Sequence, residues 1–258
     1  MKRYGLFRFL WNYFIFRRKA VNKHGIHSPF VFNFVTEVIG QYRSIKHSDI
    51  ENLRSRLKQR AEKIEVIDYG KGGEKKVKTV AHIAKNSLKP SALAKLIART
   101  CEYFKIQNAL ELGTSLGITS AYIGRSIQGK LITLEGDPTI LSIAEGVWND
   151  LYLDNIEGLS GPFNETLKKA LEAENFKLIF IDGHHQLEAT LQYFEQILPF
   201  TSSDTIIIFD DIHWSPDMVK AWNKIIDREE VRCSIDLYFL GFVFFRQELS
   251  KQHFAVKL

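Results

Sequence analysis

Ala109-Leu110-Glu111-Leu112-Gly113-Thr114-Ser115-Leu116-Gly117-Ile118 is the stretch that decides the fold of this 258-residue chain. An apolar strand runs into a turn with two glycines four positions apart, and a helical pattern follows. Gly113 can take the backbone angles of a tight strand-to-helix turn. Gly117, without a Cβ, is expected to let the following helix pack close to the strand. A ligand can then approach bare backbone. Twenty-two residues after Gly113, a second strand, Leu131-Ile132-Thr133-Leu134, ends in Glu135, where a carboxylate can accept both hydroxyls of a ribose. Loop and acid together read as a nucleotide-type cofactor site.

The dinucleotide fingerprint needs three glycines to seat a pyrophosphate on a helix N-terminus. Here the pattern is Glu-x-Gly-x-x-x-Gly, with Ser115 where the middle glycine would stand and an extra acid, Glu111, before the turn. An anionic pyrophosphate is a poor partner for that acid, and a cationic ligand without phosphate is a good one. S-adenosylmethionine, a sulfonium and an ammonium, meets that description. On these residues the chain resembles the class I S-adenosylmethionine-dependent methyltransferases, whose first motif is this acid-x-Gly-x-x-x-Gly loop and whose second is an acid closing the next strand. The resemblance implies that Glu111, Gly113, Thr114, Ser115 and Gly117 surround the methionine end of the cofactor. Glu135 would hold its ribose, and Gly161 and Phe163 would flank its adenine.

From about Lys85 onward, strand and helix patterns alternate. Strands are expected near 109–112, 131–135, 155–160, 177–181 and 204–209, each followed by an amphipathic helix. Short apolar runs of this kind indicate a parallel sheet covered on both faces. Two further strands, near 232–238 and 240–246, have almost no linker, which only an antiparallel pair allows. The expected fold is α/β: a doubly wound, mostly parallel seven-stranded sheet with an antiparallel final hairpin, over residues 86–258. Residues 1–85 are expected to form a basic, aromatic-rich helical extension. It would hold a helix over 3–22, one ending near Ile39 and one over 48–63 started by a Ser48/Glu51 capping box, with a Gly/Lys loop at Asp68–Gly73.

In an open α/β sheet, ligands bind at the carboxyl ends of the strands. There this chain carries Asp182-Gly183-His184-His185 and Asp210-Asp211-Ile212-His213-Trp214, so both clusters are expected to face the crevice that holds Gly113 and Glu135. They resemble the catechol O-methyltransferase-like branch, in which an acid after the fourth strand and an acidic pair after the fifth hold a divalent cation. Position by position, the resemblance makes Asp182, Asp210 and Asp211 the ligands of Mg²⁺, Mn²⁺ or Ca²⁺. The cation would lower the pKa of an acceptor oxygen for attack on the sulfonium methyl. Asp182 would also line the cofactor. Branch members usually carry Lys three residues after the first acid, and here that position is His185, which can act as a general base near neutral pH. The wording of these two clusters also resembles a branch with no single substrate class. The plain alternative is that Asp182 and Asp210 cap helices and anchor loops.

Cys101 and Cys233 stand far apart in no metal or redox spacing, which implies free thiols and a cytoplasmic setting. No apolar run near the N-terminus reaches the roughly 20 residues of a membrane span, and no small-residue cleavage site follows the run at 6–16. Residues 1–85 hold 19 Lys and Arg against 7 Asp and Glu, whereas the rest of the chain holds 16 against 23. Three readings of the basic aromatic helix follow: a lid or dimer arm, a peripheral membrane contact through residues 3–22, or a nucleic-acid contact. His24, His27 and Gly70–Gly73 are candidates for closing over the cofactor. The sequence therefore points to methyl transfer from S-adenosylmethionine to an oxygen of a small-molecule or glycan acceptor. An RNA-modifying methyltransferase and a non-catalytic binding module on the same fold are the alternatives.

Overall fold

The computed structural model describes residues 4–68 and 74–258. The expected loop at residues 69–73 and the side chains of His24 and Asp68 lie outside the described residues. The chain forms two compact units, residues 1–39 with 176–258 and residues 40–175. Of the strands that follow residue 108, three lie in residues 40–175 and five in residues 176–258.

The chain opens with α1 (Leu6–Lys19) and α2 (Pro29–Asn33), and α2 runs on as a π-helical stretch to Ile39. Pro at the first turn and Ser28 as cap, accepting from the Val31 amide, explain why α2 starts there.

The unit spanning residues 40–175 begins with α3 (Ser48–Leu57), followed by the antiparallel hairpin of β1 (Lys63–Asp68) and β2 (Glu74–Thr79) and then by α4 (Val80–Ser87). The expected helices of this part of the chain are present, and the hairpin adds two strands that the sequence reading did not expect. Ser48 does not cap α3: His47 precedes the helix without a side-chain bond, and Glu51 instead accepts from Arg54 Nε and from the Tyr122 hydroxyl. Thereafter α5 (Ser91–Tyr103), β3 (Ala109–Leu112), α6 (Ile118–Ser126), β4 (Leu131–Glu135), α7 (Pro138–Asp150), β5 (Ile156–Ser160) and α8 (Phe163–Ala173) alternate as expected. Strands β3, β4 and β5 are parallel neighbours. Ile50, Leu53, Val66 and Val80 share one core with Ala94, Ile118, Tyr122 and Trp148, so residues 45–84 pack as part of this unit's interior.

In the other unit, β6 (Leu178–Ile181), α9 (Leu187–Ile197), β7 (Ile206–Asp210), α10 (Pro216–Ile226), β8 (Cys233–Asp236), β9 (Leu240–Phe244) and β10 (Gln252–Ala255) complete the chain. Their order is β10-β8-β9-β7-β6. Every residue of β6, β7 and β9 is buried, as a sheet covered on both faces requires. The β8–β9 pair is antiparallel, as is β9 with β7. The expected seven strands become eight because β10 adds a parallel edge to β8. Cys101 and Cys233 are buried and unbonded, and burial pushes the Cys233 thiol up to about 12.

Candidate functional site

The loop after β3 is shaped by three departures from ordinary backbone at alternate positions: Gly113 at φ 104°, Ser115 at φ 49° and Gly117 at φ 75°. Gly117 opens α6, and a Cβ there would lie 2.7 Å from Trp148 Nε1 and 2.8 Å from the Ala144 Cβ. The close approach that needs glycine is therefore to α7, not to β3 as the sequence led us to expect. Trp148 Nε1 donates to the Gly117 carbonyl at 3.0 Å and locks the crossing.

Glu111 is fully buried and its Oε2 accepts from Thr133 Oγ1 at 2.7 Å and from Ser120 Oγ. It ties β3 to β4 and to the first turn of α6. Thr114 is also buried, with its hydroxyl 2.7 Å from that of Thr133. The backbone amide of Ser115 donates to Glu135 Oε2 at 2.9 Å, and the amide of Asp137 donates to Oε1 at 3.1 Å. The Gly136 amide joins these two, and a carboxylate with about four acceptor sites keeps room for a further donor. Burial pushes the Glu135 carboxyl up to about 7.

Gly161, at φ 133°, donates its amide to the Glu135 carbonyl at 2.9 Å and closes the end of β5 against β4. Phe163 is buried at the start of α8. Sequence reasoning missed Asp137. It caps α7 by accepting from the Ile140 amide through Oδ1, and it holds the hairpin by accepting from the Ile67 amide through Oδ2. The Asp-Pro start of α7 was the available signal for the cap, but nothing local announces the bond to Ile67.

The second set of residues belongs to the other unit. Asp182, His185 and Asp210 each offer a ligand atom, and these atoms lie within 4.8 Å of one another. Asp210 is buried at 2% exposure, and the other two are half-buried. Asp211, the third expected ligand, is not in this group, whose third member is His185. The Asp211 backbone turns to φ 53° and its amide donates to the Phe239 carbonyl at 2.8 Å.

The three histidines separate cleanly. His184, at φ 60°, places Nδ1 2.7 Å from the Tyr193 hydroxyl, which burial pushes up to about 12. His213 places Nε2 2.7 Å from Asp236 Oδ2 and stacks on Tyr238 at 4.8 Å and 6°. His185 Nε2 stands 3.6 Å from Asp182 Oδ1, beyond hydrogen-bond reach.

A family described as "Methyltransferase domain" matches residues 110–212, a span that runs from β3 to just past β7. The match covers 103 of the 258 residues and makes that span similar to a methyltransferase domain. The fold is shared with solved methyltransferases. The methyltransferase of Podospora anserina bound to S-adenosylhomocysteine superposes with a TM-score of 0.62 at 15% identity, covering 86% of this chain and 99% of its own. The O-methyltransferase of Bacillus cereus in complex with S-adenosylhomocysteine gives 0.59 at 19% identity, over 83% and 96%. A putative caffeoyl-CoA O-methyltransferase from Staphylococcus aureus gives 0.60 at 15%, over 80% and 96%. No curated protein matches the chain. The methyltransferase fold thus extends through most of the chain, well beyond the matched domain.

Proposed function

We propose that this methyltransferase moves the methyl group of S-adenosylmethionine to a hydroxyl oxygen of a small-molecule acceptor, with a divalent cation held by Asp182, His185 and Asp210. The observation that carries the reading is the meeting of two carboxylates and an imidazole at the ends of β6 and β7, in a chain similar to a methyltransferase domain over residues 110–212. Two carboxylates and an imidazole whose ligand atoms lie within 4.8 Å of one another would suit a divalent cation that prefers oxygen and nitrogen donors. The 3.6 Å gap between His185 and Asp182 favours a shared cation over a hydrogen-bonded base, because a base oriented by an acid needs contact at about 2.6–3.2 Å.

One neighbour of the same fold is described as an O-methyltransferase in complex with S-adenosylhomocysteine and another as a methyltransferase bound to it; both support the cofactor, and the first supports oxygen as the acceptor atom. The ribose hydroxyls would donate to the lone pairs that Glu135 keeps, and the Gly113–Gly117 backbone would face the methionine portion. A bound cation supplies Lewis acidity that lowers the pKa of the acceptor hydroxyl. The deprotonated oxygen forms the new C–O bond in line as the C–S bond breaks, and the sulfonium leaves as a neutral thioether.

The test is calorimetry with S-adenosylhomocysteine, followed by transfer of labelled methyl to a panel of catechols and other vicinal hydroxyl compounds, with and without EDTA. Binding of S-adenosylhomocysteine and EDTA-sensitive labelling are expected. Failure to bind the product would sink the reading, and EDTA-insensitive labelling would remove the cation from it.

A further inference from the structure

Helix α1 carries two aromatic stripes. Phe9, Tyr13 and Phe16, at i, i+4 and i+7, pack on Trp214, Tyr238 and Phe239, with ring centroids 4.9–5.8 Å apart for Phe9–Trp214, Phe9–Tyr238 and Tyr13–Tyr238. The Tyr238 hydroxyl donates to the Phe9 carbonyl at 2.8 Å and fastens the helix to the segment after β8. The other stripe, Phe7, Leu10, Trp11 and Phe14 at i, i+3, i+4 and i+7, faces outward at 84%, 54%, 57% and 53% exposure. No residue of α1 is buried. An isolated exposed apolar side chain is ordinary, but three aromatics and a leucine on one stripe form a patch that a partner must cover.

The charge around the patch identifies the partner. Residues 1–36 contain seven Lys and Arg and no Asp or Glu. Arg8, Arg17, Arg18 and Lys19 are all exposed along α1. The Arg18 guanidinium lies 6.0 Å over the Phe14 ring and that of Arg8 lies 5.1 Å over Tyr4, so cations border the apolar stripe. We propose that this face of α1 lies in the interface of an anionic lipid membrane, with Phe7, Leu10, Trp11 and Phe14 in the acyl boundary and the cations at headgroup level. A second copy docking helix to helix about a two-fold axis would bring these cations against their own kind. Among the described residues no helix is long and apolar enough to cross a membrane. The contact is therefore in the plane of the surface. It also brings the loop after β7, through Trp214 and His213, to lipid level, because Phe16 packs on His213 at 5.7 Å.

Sedimentation with vesicles tests this, using the full chain and either phosphatidylcholine alone or an equimolar mixture with phosphatidylglycerol. Tight binding is expected only to the anionic vesicles, weakened by salt. Phe7→Ser/Trp11→Ser/Phe14→Ser should abolish it, with an unchanged thermal melt because these side chains are exposed. Arg8→Gln/Arg18→Gln/Lys19→Gln should weaken it about a hundredfold. A blue shift of the fluorescence component absent from Trp11→Phe would place Trp11 itself in lipid. The proposal is overturned if the wild-type chain ignores anionic vesicles or if the serine variant still binds them. It is equally overturned if the serine substitutions instead dissolve a dimer, or abolish binding of a single-stranded oligoribonucleotide, in a chain that does not bind vesicles.

Discussion

The end of β3 and the ends of β6 and β7 use polar residues in opposite ways. After β3, the side chains of Glu111, Thr114 and Thr133 bond to one another inside the unit, and the loop is shaped by its backbone, at positive φ in Gly113, Ser115 and Gly117. After β6 and β7, it is side chains that gather: Asp182, His185 and Asp210 present ligand atoms to one point. A loop of the first kind is specified by which positions tolerate left-handed φ and lack a Cβ. A cluster of the second kind is specified by where separate strands end, and damage to the two should show in different measurements.

The largest effect is expected at Gly117. Its φ of 75° and the 2.7 and 2.8 Å approaches of Trp148 and Ala144 leave no room for a branched side chain. Gly117→Val combines overpacking with a left-handed β-branched residue, about 4 kcal/mol in all. Urea unfolding should register that loss, and S-adenosylhomocysteine binding should fall with it. A stable variant would mean that the loop does not depend on the α6–α7 crossing.

Asp210→Asn should do the reverse. It keeps the shape and the fold, and it removes one charged donor from the cluster. Mn²⁺ affinity, read by calorimetry or by the spin signal of the free ion, is expected to drop about a hundredfold, whereas S-adenosylhomocysteine affinity stays near the wild-type value. Equal losses of both ligands would erase the contrast between the two regions.

What the sequence disclosed follows the same division. The β3 loop, Glu135 and the strand ends of β6 and β7 were legible because each is a local pattern: an apolar run, a glycine, an acid at a fixed interval. The hairpin β1–β2 was not read, although Ile64 and Val66 alternate with exposed Lys63 and Glu65; its partner strand is nearly all Lys and Glu and offers no apolar face. Strand β10, four residues long, is set by pairing with β8 and carries no period of its own. The choice among His184, His185 and His213 was illegible for a different reason. Adjacent residues such as His184 and His185 diverge when one takes φ 60° and turns to Tyr193, and that turn is decided by tertiary packing.

A smaller effect sharpens the picture at Glu135. Its carboxyl titrates near 7 instead of its ordinary 4.5 because it is buried. Between these values the folded protein keeps a proton that the unfolded chain has lost, so folding stability falls as pH rises through this window and levels off above about 7. Cofactor affinity should move the other way, since ribose hydroxyls donate best to the ionised carboxylate. Glu135→Gln should flatten both profiles and lower S-adenosylhomocysteine affinity about tenfold at pH 8. If affinity in the wild-type protein does not rise with pH, the ribose is held elsewhere.

The smallest expected effect distinguishes the two possible third ligands. Asp211 follows Asp210 directly, yet its φ of 53° and its amide bond to Phe239 direct the chain into the next turn, while His185 joins the cluster from β6. Asparagine tolerates the same left-handed conformation, so Asp211→Asn preserves the turn and tests only the charge. Mn²⁺ affinity should then change by no more than about twofold, the size of a screened neighbouring charge. His185→Gln, by contrast, removes a donor and should cost about as much as Asp210→Asn. If the two results come out interchanged, the carboxylate trio holds the cation, and His185 is released to act as the base that its place after β6 first suggested.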